Sequence, residues 1–205
     1  MGLFGATAQG QSAEETARAA YETLRTDGVV IRVPTRTAKI TAMEDLLADG
    51  NLSTANHARL ERRLVELREE TRAYNHLLMG LFREIYATGP LYFVPDTAMH
   101  TLLDGERRGL TLTDELELDP ASVLPDHFLI LRIDYTDASQ QARAEGFIFS
   151  DDQMADLAAP FPVATVFNNA WYALNQLLAP GKADEIRLRK TIERIQQRLE
   201  RFGGE

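Results

Sequence analysis

Five residues, Val29-Val30-Ile31-Arg32-Val33, read as a short β-strand rich in β-branched side chains. A second such run, Leu91-Tyr92-Phe93-Val94, follows only after about fifty mostly helix-forming residues. Antiparallel neighbours can be joined by a tight turn, whereas parallel neighbours need a long crossover, usually helical. The spacing therefore predicts two strands lying parallel in one sheet and joined through helices. No other feature of the chain restricts its architecture as much.

The crossover itself reads as a helical hairpin over about 35–88. Thr35 can open a helix bearing Ile40, Met43, Leu46 and Leu47, and Asp49-Gly50-Asn51 interrupts it. Ser53 or Thr54 can cap a second helix running to about Ala87. Its apolar positions are Leu60, Leu64, Leu67, Tyr74, Leu77, Leu78, Leu81, Phe82 and Ile85, a stripe at helical spacing. The first half alternates charge (Glu61, Arg62, Arg63, Glu66, Arg68, Glu69, Glu70, Arg72), as a solvated face does. The second half is apolar over more of its circumference and is expected to pack deepest.

Pro95-Asp96 closes the second strand, and Asp96 or Thr97 can cap a short helix to Leu103. An acidic excursion over 105–125 precedes the strongest strand, His127 to Tyr135, which alternates Leu129, Leu131 and Ile133 with Ile130, Arg132 and Asp134. Residues 136–144 connect it to Glu145–Ser150 as an antiparallel hairpin. Val163 to Phe167 follows Pro160-Phe161-Pro162 and reads as an edge strand, because prolines cannot serve a central ladder. Asn168 or Asn169 can cap a helix with Trp171, Leu174 and Leu177, which Pro180-Gly181 breaks. A last helix carries Ile186, Ile192, Ile195, Leu199 and Phe202. At the other end, residues 1–11 are expected to be a disordered tail or signal-peptide remnant, with Ala6-x-Ala8 as a cleavage-like pattern. Ser12-x-x-Glu15 is a capping box for a helix with Ala17, Ala20, Tyr21 and Leu24. The expectation is one α+β (or α/β) domain over 12–205. Its sheet has four to five strands and is mixed, with a parallel pair, an antiparallel hairpin and a C-terminal helix. Thioredoxin-like domains share this element order, but a chain with no cysteine cannot carry their redox pair.

The 205 residues are enough for one buried core. The formal charge of −9 argues against wrapping nucleic acid and against adhesion to an anionic membrane. Arginine supplies nearly all the positive charge, since Lys39, Lys182 and Lys190 are the three lysines. Without cysteine, disulfides, thiolate zinc sites, iron–sulfur clusters and thiol nucleophiles are excluded. No apolar run reaches the roughly 18–20 residues of a membrane-spanning helix.

No motif for phosphate, dinucleotide, zinc or an exposed nucleophilic serine occurs. The four histidines, His57, His76, His100 and His127, share no metal-ligand spacing. Asp96 and His100 stand four apart and could meet on one helical turn, although a cap and an exposed histidine explain both. Asp126-His127 reads as a turn before a strand. Asp134, Asp137, Asp151 and Asp152 lie near the hairpin's ends, where carboxylates could hold a hard cation; capping by Ser150 or Asp151 is the simpler role. Arg32, Arg36, Lys39 and Arg132 could hold an anion at the strand ends or pair with carboxylates on a half-exposed face. The ligand-binding candidates are thus Arg36, Asp96, His100 and Arg132, with no catalytic or metal-ligating residue and no cofactor assigned. Tyr92, Phe93, Phe147, Phe149, Phe161, Phe167, Trp171 and Tyr172 could line a pocket, although strand aromatics usually form core.

The segment Leu24-x-x-Asp27-Gly28-Val29-Val30-Ile31-Arg32-Val33-Pro34-Thr35, with Arg36 and Lys39 after it, resembles the start of a group of exported bacterial proteins of unknown function. Pro90-Leu91-Tyr92-Phe93 and Pro160-Phe161-Pro162 are similar to later motifs of that group, so the resemblance covers about residues 24–170. The long charged helix and the C-terminal helix depart from it. The resemblance implies export and brings no activity, cofactor or catalytic residue. The leading expectation is a non-enzymatic, exported or periplasmic domain that binds another protein or a cell-envelope component, the amphipathic helices near 54–87 and 183–202 offering surface for a partner or for self-association. A cytoplasmic location stays open. The alternatives are a small-molecule or anion site at the ends of the parallel strands, near Pro34, Arg36, Asp96 and His100, and a hydrolase with an unrecognised site.

Overall fold

The computed structural model describes residues 5–136 and 144–204. One mixed sheet has the strand order β2-β1-β3-β4-β5. Its strands are β1 (Val29–Val33), β2 (Leu91–Pro95), β3 (Leu129–Tyr135), β4 (Glu145–Ser150) and β5 (Ala164–Val166). β1 and β2 are parallel, with Val29 opposite Leu91 and Val33 opposite Pro95. The chain between them is α2 (Thr37–Ala48) and α3 (Thr54–Ile85), so the long crossover is helical as its length demands. β3 lies parallel to β1 on its other side, while β3–β4 and β4–β5 are antiparallel. β1 is therefore the central parallel strand, and its residues are almost wholly buried.

Alternation along the strands divides the core into two layers. Val29, Ile31, Val33, Phe93, Leu129, Leu131, Phe147 and Phe149 meet Leu24 of α1 (Gly5–Thr26), Leu78 and Phe82 of α3, and Leu188, Ile192 and Ile195 of α6 (Ala183–Gly203). Val30, Val94 and Ile130 point the other way, onto Met99 and Leu102 of α4 (Met99–Leu103) and onto Leu110, Leu124 and Phe128 of the 105–128 excursion. The first half of α3 makes a core of its own with α2, in which Leu64, Leu67 and Met43 are buried.

Several boundaries differ from the sequence reading. α1 begins at Gly5, so the expected tail is helical from that residue and Ser12 lies within the helix rather than at its start. Alanine and glutamine in this stretch carry the helix past the capping box. α2 starts at Thr37 instead of Thr35, because Asp96 accepts hydrogen bonds from both the backbone N–H (3.1 Å) and the hydroxyl of Thr35. Arg36 then turns the chain in a left-handed conformation (φ 54°). Ser53 caps α3, accepting from Asn56 N–H at 3.4 Å. No helix follows β4: the Asp151 carboxylate accepts from the N–H groups of Gln153 (3.0 Å) and Ala155 (2.8 Å), closing a turn. Asp137 lies outside the described residues.

Candidate functional site

α5 (Asn169–Leu178) buries the wrong residues for a helix that serves only its own fold. Its one buried residue is Asn175, whereas Trp171, Leu174, Leu177 and Leu178 are 44, 41, 83 and 75% exposed. A helix on a domain surface ordinarily turns its apolar stripe inward and its amides outward. Here the local structure is well specified: the Asn168 side chain accepts from Trp171 N–H at 3.0 Å, an N-cap. Tyr172 anchors the helix to α6, donating to Asp184 (3.0 Å) and accepting from Gln176 (2.7 Å). Burial first, and then the hydrogen bond to Asp184, raise the Tyr172 phenol above its ordinary value, against the lowering effect of the Gln176 amide. Arg187, with 17% of its side chain exposed, lies 4.4 Å from the centre of the Tyr172 ring and 4.8 Å from that of Phe167. α5 is thus held in a fixed orientation that faces its leucines outward.

The helix beside it supplies charge. Arg187, Lys190, Arg194, Arg198 and Arg201 follow one another at spacings of three and four along α6. At helical pitch they occupy about 80° of the circumference over about 21 Å. The buried residues Leu188, Ile192, Ile195 and Leu199 take the opposite side. Glu193 and Glu200 lie off this ridge, and Arg189 pairs with Glu84 of α3 at 2.6 Å on the other flank. Among the described residues, Lys190, Arg194 and Arg201 have no carboxylate within ion-pairing distance. Lys190 instead stands over the Trp171 ring at 4.6 Å. Arg198 reaches the edge strand, donating to the Ala164 carbonyl and to Thr165 Oγ1 (3.3 Å). Between β5 and α6 runs an open groove of about 370 Å³ walled by Val166, Arg194, Arg198 and Arg201. Val166 is itself 40% exposed. The result is a basic and apolar surface on a chain of net charge −9.

The four candidates from the sequence do not converge on one site. Arg36 sits before α2 and faces Glu70 at 3.8 Å. Asp96 ties β2 to β1 through Thr35. His100 turns away from Asp96 and pairs with Asp104 at 2.8 Å, with its side chain 87% exposed. A hydrogen bond with its own backbone, and next the Asp104 charge, raise its pKa. Arg132 lies on another strand, and each of its three guanidinium nitrogens donates a hydrogen bond. Nε bonds Asp134 (3.1 Å), Nη1 bonds Ser150 (2.6 Å) and Nη2 bonds Asp156 (2.8 Å). Strand aromatics are core as expected, with Phe82–Phe147–Phe167 stacked edge to face at 5.4 Å. Tyr92 and Tyr172 are half-buried, while Trp171 of α5 and Tyr135 at the end of β3 are exposed.

At the ends of the parallel strands there is a shallow cleft of about 360 Å³, lined by Thr35, Thr71, Arg72, Asn75, Glu115 and Leu116. Asn75 donates to the Pro34 carbonyl (2.9 Å), and its side-chain carbonyl oxygen has no partner among the described residues. Leu116 holds a left-handed backbone (φ 66°), a conformation that costs about 1 kcal/mol or more for a branched residue.

The described residues contain no group of three or more His, Cys, Asp or Glu arranged to hold a metal ion. Among them, no helix is long and apolar enough to cross a membrane. Comparison with protein-family models, curated proteins and solved structures gave no match.

The sequence predicts a helix bearing Trp171, Leu174 and Leu177 and expects Trp171 in the core, but it does not single out the α5–α6 surface. The spacing of these apolar residues does not distinguish an outward from an inward stripe, since neighbours such as Leu78-Met79 and Leu81-Phe82 of α3 share one core. The 3-4-4-3 spacing of cations along α6, by contrast, is legible on a helical projection.

Proposed function

We propose that the chain is a non-enzymatic binding domain whose partner-facing surface is the outward side of α5, the basic ridge of α6 and the edge of β5. The observation that carries this reading is the inverted helix α5, with Asn175 inside and Leu177 and Leu178 in solvent. Exposed apolar surface rimmed by polar groups marks interaction sites. The long helices first expected to offer partner surface use their apolar stripes inside the fold, at Leu78, Phe82, Ile192 and Ile195. Selection of binding peptides from a random display library, with the folded chain as bait, tests the reading. Selected peptides should lose binding to L177S/L178S and keep it to L46S/V65S, a control on the exposed leucine and valine of the hairpin. Loss at the control and retention at α5 would overturn it.

Export is part of the same proposal and is supported by the Ala6-x-Ala8 pattern and by the resemblance over residues 24–170. A native N-terminus at Met1, measured by mass spectrometry, would count against it. A second reading, a small-molecule site in the strand-end cleft, is favoured by the unpaired Asn75 carbonyl and the strained Leu116. A thermal-shift screen of small zwitterions and anions tests it, and no stabilisation that N75L abolishes would dismiss it.

A further inference from the structure

We propose that the partner segment is an acidic amphipathic helix, laid along α6 so that its apolar face covers Trp171, Leu174 and Leu178 while its carboxylates meet Lys190, Arg194 and Arg201. This rests on the reading above and adds the chemistry of the occupant. Charge complementarity selects this occupant. On the ridge, Lys190, Arg194 and Arg201 have no carboxylate partner among the described residues, on a chain that elsewhere carries an excess of acid. A second copy of the chain in a two-fold arrangement would set ridge against ridge, and like charges facing each other oppose association. Extended pairing on β5 is hindered, because Arg198 already occupies the Ala164 carbonyl. An exposed apolar helix face beside a cationic ridge suits a helix with anchors at spacings of three and four. The ridge's length of about 21 Å corresponds to roughly fourteen helical residues, four turns of a partner.

The test uses the intact folded chain as bait for a 16-residue random display library, with the selected peptides then resynthesised. Trp171 is the only tryptophan and reports binding directly, since covering it shifts its emission to the blue. The expected result is enrichment of Asp and Glu together with large apolar residues at helical spacing. Binding should weaken steeply with salt, and R194E/R201E should weaken it tenfold or more with the circular dichroism and Tm unchanged. Neither arginine makes an ion pair within the described fold, so the variant is expected to fold. Enriched peptides that are neutral or basic, yet still lost on L177S/L178S, would overturn the acidic partner and leave the interaction surface standing. No enrichment would overturn both. Vesicles of phosphatidylglycerol and phosphatidylcholine are the counter-probe: a blue shift of Trp171 with them, in place of peptide, would assign the surface to a membrane and overturn the proposal.

Discussion

Replacing Leu177 and Leu178 by serine should leave the folded chain almost as stable as before. Full burial of a leucine is worth about 1.5–3 kcal/mol. With 83 and 75% of these side chains in solvent, only a fifth or so of that is realised within the fold. The expected loss is therefore about 0.5 kcal/mol per residue, close to the range for surface substitutions. Ile192 of the neighbouring helix is 0% exposed and supplies the contrast. I192A should cost about 2–5 kcal/mol, since it combines lost transfer energy with a cavity. Urea unfolding followed by circular dichroism, at two protein concentrations, measures both. If L177S/L178S costs as much as I192A at either concentration, the leucines are covered in the folded chain and α5 is not an open surface. A cost that grows with protein concentration would show that a second copy covers them.

Other expectations follow from the core and its titrating groups. F147A should cost about 3–5 kcal/mol in urea unfolding, because Phe147 is buried and meets both Phe82 and Phe167 at 5.4 Å. A cost under about 1 kcal/mol would mean that the two layers are not packed as described. Burial raises the Tyr74 phenol from 10.0 to about 12. A raised phenol binds its proton more tightly in the folded state, so its contribution is present below pH 10 and is lost as pH climbs from 10 to 12. Y74F should therefore flatten the fall of stability over that window by up to roughly 2–3 kcal/mol, and unchanged steepness would contradict the burial.

The parallel pair, the helical crossover and the edge position of β5 were legible in the sequence, because length and proline leave few other arrangements. Helix starts were less so. Thr35 was a credible cap until the Asp96 carboxylate, distant in sequence, took both of its donors. The parallel placement of β3 against β1 depends on the 105–128 excursion, whose residues Leu110, Leu124 and Phe128 cover the second face of the sheet without any periodic signature. The candidate site was the least legible part. Arg36, Asp96, His100 and Arg132 are the conspicuous polar residues, yet each finds its partner inside the fold. The α5 surface is built instead from ordinary leucines whose orientation follows from the anchoring of Tyr172 and Arg187.

Quenching of Trp171 fluorescence by iodide and by caesium tests the basic, uncovered surface most directly. Lys190 lies 4.6 Å from the ring, and Arg194 continues the ridge beside it, so the local field should draw the anion although the chain as a whole is acidic. The account predicts stronger quenching by iodide than by caesium at low ionic strength, with the preference reversed in K190E/R194E. Equal quenching by the two ions, or a blue emission that neither reaches, would contradict it.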